Sequence, residues 1–214
     1  MSWINSSIVS IIRIMPRWSI HPFAKTYVAG ESVQETVLVV KKVNDRGFTC
    51  TLDILGEHVQ SATEAENITR EYCDLYDVIA VENMNCNISI KLTHIGLALD
   101  KTIATDNLVR ILKQAKKHDN FLRIDMENSP YTQQTIDLYN NCVSDYPNMG
   151  IVLQAYLKRS LEDARNLNQA GFNTRVCKGI YKELETIALK DRAAIQDNFF
   201  NITKEILSGK GFAA

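Results

Sequence analysis

With 214 residues, the chain is long enough for one large domain or two small ones, and for a substantial core. Its 24 basic and 25 acidic side chains leave a formal net charge of −1, so it carries no electrostatic footprint for nucleic acid. Five scattered cysteines with no CxxC pair fit a reduced compartment rather than a disulfide framework. The four histidines are isolated, no cluster has metal-ligand spacing, and no metal is expected.

No apolar run approaches the roughly 18 residues that span a bilayer. The N-terminal stretch from Trp3 to Trp18 places Ile8, Ile11, Ile12 and Met15 on one face. It reads as a lead-in helix, with a mitochondrial transit peptide or a membrane-surface helix as alternatives, because no acidic residue precedes Glu31. Val33 to Asn44 reads as a helix ended near Gly47, and Gly47 to Leu55 as a strand. Ser61 and Glu64 form a capping box that opens a helix through about Asp77. Asn87 to Thr93 is the next strand, with Lys91 and Thr93 near its carboxyl end. Leu108, Ile111, Leu112 and Ala115 have the spacing of an amphipathic helix. Phe121 to Glu127 is a third strand ending in acid, and Ser129-Pro130 starts a helix with Ser as cap and Pro in the first turn.

From Gly150 to Glu183 two short apolar runs flank a compact helical pattern. Ile151 to Leu153, bounded by Gly150, is a buried strand. Ser160 with Asp163 predicts the helix cap and Gly171 its stop, and a strand through Arg175 and Cys177 follows. A long helix through Phe199, Phe200, Ile202 and Ile206 leads to Phe212, where another strand begins. Strands that recur every 20 to 40 residues or so with a helix between them have the period of a (βα) barrel unit. Neither GxGxxG nor GxxxxGK[ST] is present. About five complete strands and the start of a sixth are visible, against the eight of a closed barrel.

The strand ends carry the chemistry. In a barrel they converge on one mouth, where Lys91, Asp125, Gln154, Arg175 and Lys178 could line one pocket. A buried amide such as Gln154 needs partners for its donors and acceptors. A charge inside a strand, such as Arg175, must be paired with a carboxylate, a cofactor or a substrate. Lys178-Gly179 suits a loop whose backbone closely approaches a ligand. A Schiff-base lysine, Lys91 or Lys178, is a rival chemistry for such a mouth.

The segments Thr51 to Glu57, Ile88 to Thr93, Leu122 to Glu127, Gly150 to Arg159 and Arg175 to Tyr181 resemble, in order, those of the proline dehydrogenases. LQAYLKR followed by RVCKGIY is the most specific part. The resemblance implies an α/β fold, a (βα)8 TIM-like barrel of the proline dehydrogenase type, incomplete here. It implies a single barrel domain over 1–214, with lead-in helices over 1–45, and five βα units and the start of the sixth strand over 46–214. It implies non-covalent FAD, oxidation of L-proline to 1-pyrroline-5-carboxylate by hydride transfer to flavin N5, and a quinone or other electron acceptor. By position, Lys91 would meet the proline carboxylate and Tyr181 would wall its pocket. Asp125 would align the catalytic groups, and Arg175 would sit by the flavin. Met126, Gln154, Lys178, Gly179 and Ile180 would hold the cofactor. Cys177 and Ile180 depart mildly from the family's pattern. The family's later strands, with a flavin-binding histidine and a paired-arginine clamp, have no counterpart, so the expectation is a truncated form, with a non-catalytic fragment or interaction module as the alternative. The implied location is cytoplasmic, peripheral at the inner membrane at most (mitochondrial in a eukaryote).

Overall fold

The computed structural model describes residues 28–30, 32–168, 172–209 and 211–214. The N-terminal helix expected at Trp3 to Trp18 and the stop at Gly171 lie outside them. The chain divides into two compact units, Met1–Cys50 with Glu82–Asn85, and Thr51–Val81 with Cys86–Ala214.

In the first unit, helix α1 (Val33–Asn44) starts where the Ser32 hydroxyl accepts the Glu35 amide. Glu35 in its first turn and Lys41 and Lys42 in its last complement the helix dipole. Lys41 pairs with Glu82 at 2.5 Å, and the Asn44 amide binds the backbone of Phe48 and Asn85.

The second unit carries most of the α/β fold. Its elements alternate: β1 (Cys50–Leu52, entered from the first unit), α2 (Ala62–Val81), β2 (Cys86–Ile90), α3 (Lys101–Lys117), β3 (Leu122–Ile124), α4 (Ser129–Val143), β4 (Met149–Gln154), α5 (Ser160–Leu167), β5 (Asn173–Cys177), α6 (Arg192–Ser208) and β6 (Phe212–Ala213). The six strands form one sheet in sequence order, and β2 through β6 pair in parallel. Parallel strands need a crossover, and each helix supplies one. On one face, Ile88, Ile90, Leu122, Ile124, Ile151 and Leu153 are closed to solvent, as a parallel sheet covered by helices requires.

The other face carries the polar residues, because side chains alternate along a strand. Ser89, Arg123 and Gly150 align across β2, β3 and β4. One layer toward the carboxyl ends come Lys91, Asp125, Val152 and Arg175, the last two in register. Above these lie Thr93, Glu127, Gln154 and Cys177, with Gln154 opposite Cys177. Stacked layers from successive strands are how a (βα) barrel fills its interior.

Two expected caps are corrected. Asn128, not Ser129, precedes α4, and the Ser129 amide and hydroxyl both bind the Glu183 carboxylate at 2.7 Å. Arg159, not Ser160, precedes α5, and the Ser160 hydroxyl donates to the Gln154 carbonyl at 2.7 Å. Both hydroxyls are drawn off by tertiary partners. At the expected capping box the Ser61 hydroxyl accepts the Glu64 amide, but the Glu64 carboxylate reaches the Gln60 amide, one residue before the cap; α2 runs on to Val81, beyond Asp77. The strands expected over 47–55, 87–93 and 121–127 are shorter, and Leu92–Ile95 is a 3₁₀ turn that begins just after Lys91.

Candidate active site at the strand ends

Asp125 leaves β3 into the middle of a charged cluster. Arg175 Nη2 donates to its Oδ1 at 2.5 Å, the Ser89 hydroxyl donates to Oδ2 at 3.3 Å, and Lys91 Nζ lies 3.9 Å from Oδ2. Lys91 makes its shorter bond to Asp53 Oδ2 at 2.5 Å, and the Tyr72 hydroxyl donates to Asp53 Oδ1 at 3.1 Å. Burial raises the Asp125 carboxyl above its ordinary range, against the pull of Arg175 and Lys91. Burial alone would lower the Lys91 ammonium, but the hydrogen bond and charge of Asp53 outweigh it and the net shift is upward. Lys91 is therefore held protonated, which removes the nucleophilic amine that a Schiff-base mechanism requires.

Glu127 is fully buried and accepts from the Thr93 amide at 3.0 Å and from the Thr93 hydroxyl. Burial raises its carboxyl too. Its oxygens lie within 4.8 Å of ligand atoms of Glu57 and His58, a grouping that linear spacing cannot show because Glu127 comes from another strand. Glu57 in turn accepts from the Tyr181 hydroxyl at 2.7 Å, which ties the loop after β1 to the loop after β5.

The β4–β5 side is built differently. Gln154 is 2% exposed, its amide donates to the Met126 carbonyl at 2.9 Å, and its Oε1 has no partner among the described residues. Met126 itself is 4% exposed. Gly179 has φ +102°, and a Cβ there would overlap the Tyr156 ring, so this backbone turn requires glycine. Lys178 opens onto a cleft of about 560 Å³ lined also by Lys190, Arg192, Ile195, Gln196 and Phe199. Ile180 is 88% exposed beside it in the chain.

The structure thus brings Lys91, Asp125 and Arg175 into one ionic cluster and Tyr181 to its rim through Glu57. Gln154 and Met126 meet by a single hydrogen bond, and Lys178 borders a basic cleft. Sequence reasoning passed over Asp53, Ser89, Arg123 and Glu127. The missed signal was the two-residue period: Arg123 and Glu127 flank Asp125 at that spacing, and Ser89 precedes Lys91 by it.

A sheet whose six strands lie in sequence order, with a helix between successive strands, has the topology of part of a (βα) barrel. The sequence profile of the proline dehydrogenases matches residues 37–196, and the chain belongs to the proline dehydrogenase family. Proline dehydrogenase 1 of Bacillus subtilis (strain 168) is 36% identical over 187 residues, covering 87% of this chain and 62% of the relative. Proline dehydrogenase 2 of the same strain is 32% identical over 193 residues, covering 90% and 64%. Proline dehydrogenase of Deinococcus radiodurans is 30% identical over 181 residues, covering 82% and 58%. The chain spans about three-fifths of the length of these curated relatives. Among solved structures, proline utilization A from Bdellovibrio bacteriovorus, inactivated by N-propargylglycine, superposes with a TM-score of 0.84 at 22% identity. That match covers 99% of this chain and 26% of the other, and it shows the shared fold. Among the described residues, no helix is long and apolar enough to cross a membrane.

Proposed function

We propose that the protein of this chain is an FAD-dependent proline dehydrogenase that oxidises L-proline to 1-pyrroline-5-carboxylate and passes the electrons to a quinone or another acceptor. Membership of the proline dehydrogenase family supports the substrate. The observation that carries the cofactor reading is the buried Gln154 Oε1, an acceptor that the protein leaves unpaired among the described residues. An isoalloxazine edge offers the N–H it needs. The Lys178, Lys190 and Arg192 cleft suits a diphosphate, and Ile195 and Phe199 give it an apolar wall. Gly179 lets the backbone come close, so the residues present fit the group.

When bound, FAD would supply the two-electron acceptor: proline would lose its C5 hydride to it, and the proton released from the amine as the C5=N bond forms would pass to solvent. The protein's part is binding, orientation and electrostatics. Lys91, fixed by Asp53 on one side, offers a remaining ammonium proton to the proline carboxylate. Asp125 holds Arg175 in place at the β5 end, so that a preorganised cation faces charge as it develops. Tyr181, anchored on Glu57, walls the substrate side, while Met126, Lys178 and Ile180 complete the cofactor side. Location in the cytoplasm, peripheral to a membrane at most, completes the reading.

Purified protein loaded with FAD and given L-proline tests this through reduction of a dye acceptor. Proline-dependent reduction by a yellow sample supports the reading. A yellow sample inert toward proline removes the substrate, and a colourless, inert one supports a non-catalytic module of the same fold.

A further inference from the structure

Arg123 is 8% exposed on the polar face of the sheet. Its Nη1 donates to the Ile151 carbonyl at 3.4 Å, its Nη2 to Asn173 Oδ1 at 3.0 Å, and its guanidinium lies 4.8 Å from the Phe121 ring centre. All these partners are neutral, and no carboxylate pairs with it among the described residues. Gly150 makes the room: a Cβ there would stand 2.9 Å from Arg123 Nη1, 2.6 Å from the Asn173 carbonyl and 2.8 Å from Phe121 Cζ. An unpaired buried charge is expensive, and most ionisable groups escape the cost by losing their charge. A guanidinium does not escape. Burial and the neighbouring Arg175 pull it down only to about 10, so it stays positive at neutral pH.

Its position gives that charge a direction. Arg123 lies one layer beneath Asp125 on the same strand and face, with Gly150 beside it in register. The groups facing Asp125 from the packed elements are Arg175 and Cys177 of β5, Lys91 and Ser89 of the β2 end, Asp53 after β1, Tyr72 of α2 and Tyr181 after β5. Arg123 adds a further cation from below, fixed by hydrogen bonds to β4 and β5 rather than by a salt bridge.

We propose that Arg123 is a positioning residue, a fixed positive charge beneath the site that favours added negative charge at the strand ends and so the electron-rich form of a bound flavin. The part concerning flavin rests on the proline dehydrogenase reading, and the part concerning the strand ends does not.

Two variants separate charge from structure. Arg123→Gln keeps amide donors for Ile151 and Asn173 but removes the charge, and Arg123→Lys keeps the charge but loses the fork. In FAD-loaded protein, Arg123→Gln is expected to shift the oxidised-to-reduced ratio about tenfold toward oxidised flavin, about 30 mV for the two-electron couple. Arg123→Lys is expected to keep the wild-type potential. In FAD-free protein with 13C-labelled aspartate, Asp125 is expected to titrate at higher pH in Arg123→Gln and as wild type in Arg123→Lys. A purely structural role would lower the Tm of both variants and move neither the potential nor the titration, and that result overturns the proposal. Arg123→Met serves as a second neutral variant if Arg123→Gln does not fold. A chain that takes up no FAD defeats the cofactor reading, while the Asp125 titration still decides the role of Arg123.

Discussion

The two sides of the strand-end site handle polarity in opposite ways. Around Asp125, cation and anion are matched within the protein: Arg175 and Lys91 face Asp125, and Lys91 faces Asp53. On the β4–β5 side, Gln154 Oε1 and the Lys178 ammonium have no protein partner among the described residues, and Gly179 leaves no room for a side chain. The first side pairs its own charges at the strand ends, while Arg123, one layer beneath, is held instead by neutral partners. The second side holds unused hydrogen-bonding capacity, which the proposed cofactor would take up. On the proposed reading, the preorganised charge serves catalysis and the unspent capacity serves binding.

The sharpest way to break this contrast is Asp125→Asn. It leaves Arg175 and Lys91 facing a neutral amide, and proline-dependent turnover is expected to fall about 100-fold because the reacting groups lose their alignment. Stability should change by no more than about 1 kcal/mol, because the amide loses the ion pair to Arg175 yet also escapes the burial that raises the carboxyl. Denaturant melts beside steady-state kinetics would check both. Unchanged turnover would remove Asp125 from the site.

Gly179→Ala strikes the other side through the backbone. A left-handed conformation and overlap with Tyr156 should together cost about 1–3 kcal/mol and lower FAD content in the purified protein. Gln154→Leu is subtler. It deletes the unpaired acceptor and one hydrogen bond to Met126, so FAD should bind about tenfold more weakly while the FAD-free protein loses only about 1 kcal/mol. Fluorescence titration with FAD and thermal melts separate these effects. Equal losses in both would make Gln154 a core residue.

The smallest expected effect concerns Glu127, whose folded-state pKa is raised by burial. A raised carboxyl favours folding while both states are protonated, below the unfolded value of 4.5, and that advantage is lost as pH rises through the folded value. The stability of wild type relative to Glu127→Gln should therefore be flat below about pH 4.5 and decline above it. A difference that grows with pH would contradict the burial of this acid.

The sequence made the alternation of elements legible because short apolar runs and helical stripes recur in order, and the strand-end positions Lys91, Asp125, Gln154 and Arg175 follow from where those runs stop. What stayed hidden depends on distance in space. Ser129 and Ser160 look like caps in one dimension, yet Glu183 and the Gln154 carbonyl claim their hydroxyls. Asp53 gains meaning only beside Lys91, 38 residues away. Arg123 is readable in principle from its two-residue offset to Asp125, but its lack of a carboxylate partner among the described residues depends on the fold.

The order of the sheet also bears on how the chain reaches its fold. Each strand neighbours the one just before it in sequence, so every pairing from β1 to β6 closes a loop of only one helix and its connections. A chain emerging from the ribosome can therefore add one strand and one helix at a time to an edge already in place. The long-range Tyr181–Glu57 clasp, 124 residues apart, would form late in that assembly, so its loss should speed unfolding more than it slows folding.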